Sequence, residues 1–205
     1  MQIIFDLDGT ILNSKEGILD SLEYSIKKHA PQYLYKLNEA MIGPPIKVLL
    51  KNFITNQNII EAISLDFRHH YDRKGILKAK LFPGVYEVLK KLSKNNKLFI
   101  STNKPWVPTK KILNILKING YFHEVLTIDS GNFKHKSEMV NQILSKNKTN
   151  KSIVTRDSSD DYESAKNNGV DFIYCSYGYG YVDYIDRSIS TVDTLNALFR
   201  ALNRL

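Results

Sequence analysis

The sequence predicts an α/β fold, a parallel sheet flanked by helices, with a helical segment inserted after the first strand. Three observations carry this. Five short apolar runs are spread along the chain, each of strand length. Between the later runs, apolar residues recur at helical spacing. One long early stretch holds helical patterns and no convincing strand. Strands that alternate with helices of this length fit a parallel sheet, because each crossover needs a helix to return the chain to the same edge.

The first run is 2–5 (QIIF), apolar but short, without a basic flank, and leading straight into acidic residues. It reads as a buried strand rather than a signal peptide. From 15 to 80 the pattern is helical, at 16–29, about 45–53 and near 60–73, punctuated by Gly43-Pro44-Pro45. Leu81-Phe82-Pro83-Gly84 then reads as a re-entry turn. The helix expected over 84–95 carries Val85, Val88, Leu89 and Leu92 on one face. Strand 97–101 (KLFIS) follows, then a helix over 108–119 with Ile112, Ile115 and Leu116. Strand 124–128 (EVLTI) precedes a helix over 137–145 with Met139, Val140, Ile143 and Leu144. Strand 152–155 (SIVT), a helix over 159–168 and strand 171–175 (DFIYC) complete the alternation. The expected organisation is therefore a Rossmann-like core of 1–14 with 81–205, and a small helical cap of 15–80. Sites in such sheets lie at the carboxyl ends of the strands.

The chain has 205 residues, 42% of them hydrophobic and 24% charged, an ordinary balance for a soluble globular protein. No apolar run approaches the ~18 residues that a membrane span needs. Cys175 is the only cysteine, so no intrachain disulfide can form, and a cytoplasmic location is the default. The formal charge of +8 favours anionic partners. The basic residues are dispersed, however, and Lys146, Lys148 and Lys151 lie among Asn and Thr as a solvated turn would. Nucleic acid is thus the weaker expectation, and a small phosphorylated metabolite the stronger. Nothing in the sequence fixes an oligomeric state.

Chemistry concentrates where strands end. In Phe5-Asp6-Leu7-Asp8-Gly9-Thr10 two carboxylates stand at i and i+2 after a buried strand, so both can aim at one small volume. That suits a divalent cation and an incoming phosphoryl group. Gly9 lets the backbone turn tightly and present N–H groups to an anion. A solvated strand-to-loop turn would use the same residue types. Later strands weigh against that blander reading. Ser101-Thr102-Asn103 ends one strand with hydroxyl and N–H donors, Lys136 follows the next, and Asp157, Asp160 and Asp161 follow the fourth. One or two carboxylates at the last position would pass as helix caps. Three, beside hydroxyls and a lysine, exceed what capping needs.

The ordered set Asp6-Leu-Asp-Gly-Thr10, Thr102, Lys136 and Asp157-Ser-Ser-Asp-Asp161 resembles the four motifs of haloacid dehalogenase-like hydrolases. Ile42-Gly-Pro-Pro45, Phe67-Arg68 with Tyr71, Phe82-Pro-Gly84, Thr102-Asn-Lys-Pro105 and Asp161-Tyr-Glu-Ser-Ala-Lys-Asn-Asn-Gly169 resemble its phosphoglycolate-phosphatase-like branch. The resemblance implies a phosphoric monoester hydrolase. Asp6 would attack phosphorus and form an aspartyl-phosphate. Asp8 would protonate the leaving oxygen and then deprotonate water. Thr102 would hold a phosphoryl oxygen, with Gly9 and Asn103 beside it, and Lys136 would neutralise charge. Mg2+ would bind Asp6, the main-chain carbonyl of Asp8, and Asp157, with Asp161 in support. Ser101 and Asp160 are the register alternatives to Thr102 and Asp161.

The resemblance also implies a cap that opens and closes, with hinges near 13–16 and 79–83 and Arg68 facing an anionic substrate. A solvated cap arginine is the plainer account of Arg68. His69 and His70 are expected at the surface, Trp106 in packing near a hinge, and Tyr177-Gly-Tyr-Gly-Tyr181 in a loop after the last strand. One position departs from the family pattern, which has glycine where this chain has Arg156. Strand alternation sends Arg156 to the face away from Asp157, and its guanidinium either packs outside the site or folds back on the acidic residues. Phosphoglycolate is one candidate substrate. A sugar phosphomutase on the same scaffold would keep both Asp6 and Asp8, and a phospho-ligand-binding protein without turnover would accommodate Arg156.

Overall fold

The computed structural model describes residues 1–43, 45–147, 149, 151–180 and 189–204, apart from the side chains of Ala40, Ser159 and Asp160. Pro44, Lys148 and Tyr181 lie outside the described residues. The chain divides into two compact units, Met1–Asn13 with Lys80–Leu205, and Ser14–Ala79.

The first unit is built on a six-stranded parallel sheet. In chain order its strands are β1 (Gln2–Phe5), β4 (Lys97–Thr102), β5 (Glu124–Thr127), β6 (Ser152–Arg156), β7 (Asp171–Cys175) and β8 (Ser190–Val192). Their spatial order is β5-β4-β1-β6-β7-β8. The chain builds outward from β1 on one side, then returns to lay β6 on the other, so the order reverses beside β1. β1 is buried along its whole length, as a central strand covered on both faces must be. The short strands β2 (Leu12–Asn13) and β3 (Lys80–Leu81) pair antiparallel in a separate ribbon, with Asn13 opposite Lys80.

The helices of this unit are α4 (Val85–Leu92), α5 (Trp106–Ile115), α6 (Lys136–Lys146), α7 (Ser159–Asn167) and α8 (Leu195–Asn203). Met139, Val140 and Ile143 of α6 and Ala165 of α7 pack with Ile4, Phe99 and Val154 of the sheet. α8 starts at Thr194, whose hydroxyl accepts from the Ala197 N–H at 3.2 Å.

The second unit is helical throughout its described residues: α1 (Lys15–His29), α2 (Ile46–Lys51) and α3 (Gln57–Arg73), with short 3-10 turns. Its own core gathers Leu22, Ile26, Leu50, Ile60 and Ile63. α1 and the 3-10 turn at Gly75 approach so closely that a Cβ on Gly17 would lie 2.0 Å from the Gly75 carbonyl oxygen. The Asn56 side chain caps α3, accepting from the N–H groups of Asn58 and Ile59 at 2.9 and 3.3 Å. Of the two histidines expected at the surface, His69 is exposed and His70 is not. His70 stacks on Tyr24 at 4.4 Å and bonds Ser21 Oγ at 3.0 Å, because its position on α3 turns it toward α1.

Candidate active site

Strand register alone brings several of the singled-out residues together. Ile4 of β1 is paired with Val154 of β6, and both face α6 and α7. Two residues on, Asp6 and Arg156 leave the sheet on that same face, since side chains repeat every second residue. Lys136 begins α6, and Asp161 lies in the first turn of α7. The Lys136 ammonium sits 3.2 Å from Asp6 Oδ2 and 2.8 Å from Asp161 Oδ1. All four side chains are buried.

Arg156 settles the alternative posed by its position. It is on the α6 and α7 face, and its guanidinium turns onto the acidic residues rather than outside them. Nη1 donates to Asp161 Oδ1 at 2.6 Å and stands 3.9 Å from Asp6 Oδ1. Arg156 is wholly buried, and its Nε and Nη2 make no hydrogen bond among the described residues. Asp161 also accepts the Ser158 hydroxyl on Oδ2, so three donors converge on one carboxylate.

Asp157 is held differently, by backbone. The N–H groups of Tyr179 and Gly180 donate to its Oδ2 at 3.2 and 2.8 Å. Close approach requires glycine on both sides. A Cβ on Gly9, whose φ is +87°, would come within 1.9 Å of Asp157 Oδ2, and one on Gly178 within 2.5 Å. The aromatic-glycine run is thus a clamp on Asp157, with Tyr177 Oη also donating to the Thr10 carbonyl at 3.0 Å.

Thr102 ends β4 and is buried, its Oγ1 accepting the Lys104 N–H at 3.2 Å. Ser101 is also buried, and its hydroxyl makes no hydrogen bond among the described residues. Asp8 is partly exposed, and the Lys104 ammonium lies 3.0 Å from its Oδ2. Sequence reasoning assigned Lys104 no task. Its only signal was its place in Thr102-Asn-Lys-Pro105. Asn103 is half-buried beside Thr102. Arg68 is exposed on α3 in the second unit, and the Asp160 side chain lies outside the described atoms. Trp106 is 40% exposed rather than packed, anchored by its backbone N–H, which donates to Asp129 at 2.7 Å.

Burial of like charges dominates the electrostatics. Burial, then the charges of Asp6 and Asp161, push Asp157 up to about 7. Burial also raises Asp6, against the opposing pull of Lys136. Asp161 goes the other way: burial would raise it, but Lys136 and Arg156 hold it down at about 2. Lys136 lies above the usual lysine value because Asp161 and Asp6 outweigh the effect of its burial.

Asp6, Asp157 and Asp161 each offer a carboxylate oxygen, and these atoms lie within 4.8 Å of one another. Asp6 Oδ1 is buried and accepts no hydrogen bond among the described residues. An all-oxygen donor set with an unfilled acceptor and net negative charge fits a small hard cation such as magnesium. Arg156 already holds part of that cluster.

Residues 3–175 match the haloacid dehalogenase-like hydrolase family. Among curated relatives, a phosphoglycolate phosphatase from Aquifex aeolicus is 29% identical over 184 residues, spanning 86% of this chain and 85% of that one. The tyrosine-protein kinase PtkA of Mycobacterium tuberculosis is 27% identical over 197 residues, 94% of this chain and 67% of that one. A haloacid dehalogenase-like family protein from Streptococcus pneumoniae shares the fold, with a TM-score of 0.85 at 24% identity over 100% of this chain and 98% of that one. With that family matched from the first strand to the end of β7, this chain belongs to the haloacid dehalogenase-like hydrolases.

Proposed function

We propose that this chain is a magnesium-dependent phosphatase acting on a small phosphomonoester through an aspartyl-phosphate, with the helical unit as its cap. The observation that carries this reading is the state of Asp6. One oxygen, Oδ2, is held by Lys136 at 3.2 Å, while Oδ1 accepts no hydrogen bond among the described residues. A carboxylate fixed on one side and free of hydrogen bonds on the other, with only the Arg156 guanidinium at 3.9 Å, is prepared to attack. Relatives named phosphoglycolate phosphatase and 5'-nucleotidase support a small phosphorylated substrate.

In the proposed reaction Asp6 attacks phosphorus as the ester P–O bond breaks, and the leaving oxygen takes a proton from Asp8. Asp8 then removes a proton from water, which attacks the acyl-phosphate to release inorganic phosphate and restore Asp6. Thr102 holds a phosphoryl oxygen, with Gly9 and Asn103 assisting in binding the phosphoryl group. Lys104 holds the Asp8 carboxyl, and Lys136 offsets charge on Asp6 and the phosphoryl group. Magnesium, bound by Asp6, Asp157 and the Asp8 carbonyl, would screen the carboxylates from the phosphate dianion.

The test is hydrolysis of a generic aryl phosphate. Turnover with magnesium, its loss in excess chelator, and its loss in Asp6→Asn with an unchanged circular-dichroism spectrum are the expected results. Turnover by Asp6→Asn, in material free of other phosphatases, would falsify the covalent route. A phospho-ligand-binding protein without turnover has one observation in its favour, the 2.6 Å contact of Arg156 with Asp161. Absence of hydrolysis by wild type at every magnesium concentration would select it.

A further inference from the structure

We propose that Arg156 is a resident counter-ion of the carboxylate cluster, which reserves Asp161 and sets divalent-cation affinity low. This deepens the magnesium-dependent reading and rests on it for the identity of the cation. The geometry begins with Asp161. Its Oδ1 is shared by the Arg156 guanidinium at 2.6 Å and the Lys136 ammonium at 2.8 Å, and its Oδ2 takes the Ser158 hydroxyl. A carboxylate so engaged must break a charge-assisted bond before it can ligate a metal. Asp6 and Asp157 are therefore left as the side-chain ligands.

The charge balance points the same way. Three carboxylates, Asp6, Asp157 and Asp161, face two permanent cations, Lys136 and Arg156. A guanidinium does not lose its proton in a protein, so this charge cannot be withdrawn as a metal arrives. An incoming divalent ion meets a cluster whose formal negative charge is largely offset already, and it approaches Asp6 with Arg156 Nη1 3.9 Å from Oδ1. Low affinity follows from repulsion by Arg156 and from the loss of Asp161 as a ligand, which act in one direction. The device also keeps the buried cluster from repelling itself when no metal is bound. Occupancy would then track the ambient cation concentration instead of staying saturated.

Two binding measurements test this without using turnover. In calorimetric titration with Mg2+ alone, Arg156→Met should bind at least tenfold more tightly than wild type, about 1.4 kcal/mol. Affinities less than tenfold apart, or no binding by either protein, overturn the proposal. Methionine is chosen because an apolar side chain of similar length leaves no buried donor unpaired. If that variant does not fold, wild type alone decides. During a Mg2+ titration followed by carboxyl 13C NMR, the Asp6 and Asp157 signals should move and the Asp161 signal should stay. Movement of Asp161 in step with the others overturns it. A protein that binds magnesium in this manner and hydrolyses no phosphomonoester would sink the phosphatase reading and leave this one standing.

Discussion

Asp157 is held by backbone: two N–H donors at 179 and 180, with glycines at 9 and 178 packed against its carboxylate. Alanine at position 9 would face both a φ of +87° and a 1.9 Å overlap with Asp157. Gly9→Ala should cost at least about 2 kcal/mol in chemical unfolding. It should also displace Asp157, so magnesium binding by calorimetry should weaken with it. Unchanged binding in a folded variant would remove Asp157 from the cation site. Asp6, Asp8 and Asp157 stood out in the sequence because carboxylates recur after several apolar strands, although turns and helix caps use the same residue types. It did not display the clamp. Gly178 and Gly180 are glycines because of a partner about twenty positions earlier in the chain, and local patterns carry no trace of that. The direction of Arg156 was open for the same reason: alternation fixes the face, while the reach of a long side chain depends on what waits there.

Central strands were legible because burial on both faces forces unbroken apolar runs such as Ile3-Ile4-Phe5 and Leu98-Phe99-Ile100. The edge strand β8 was not. Its Ser-Thr-Val buries only Val192, and a half-polar three-residue strand has no signature. The helix α8 does have one, in the Thr194 cap followed by buried Leu195, Leu198 and Leu202 at helical spacing, although it lies beyond the last of the five apolar runs. In the helical unit, α1 and α3 are joined by Asp66, which bonds Lys28 at 2.7 Å and His29 at 2.5 Å. The hydrogen bonds from Lys28 and His29 hold Asp66 below the usual carboxylate value. A depressed acid stabilises the fold above its unfolded pKa and loses that contribution as pH falls through the folded one. Asp66→Asn should therefore melt below wild type at pH 7. The gap should close as pH drops below about 4. A gap that persists at pH 2 would mean that shape, rather than charge, is what Asp66 supplies.

The two units have unequal chain histories. Ser14–Ala79 is one continuous segment, whereas its companion is assembled from both sides of it. The segment leaves and re-enters where Asn13 pairs antiparallel with Lys80, so its two ends are already neighbours. Replacing 14–79 by an Asn-Gly turn should thus yield a first unit that still unfolds cooperatively in thermal circular dichroism. A product without a cooperative transition would show that the sheet depends on the helical segment. The same arrangement bears on synthesis. The helical segment holds every residue of its own core and can fold while the chain is still emerging. β1 cannot. Its two partners, β4 and β6, begin at Lys97 and Ser152, so Ile3, Ile4 and Phe5 are made well before either strand that flanks them. Until Lys97 has been made this strand is unpaired, open to chaperones or to mispairing with another chain. Asp6, which follows it, has Lys136, Arg156 and Asp161 all in place only once residue 161 has been made.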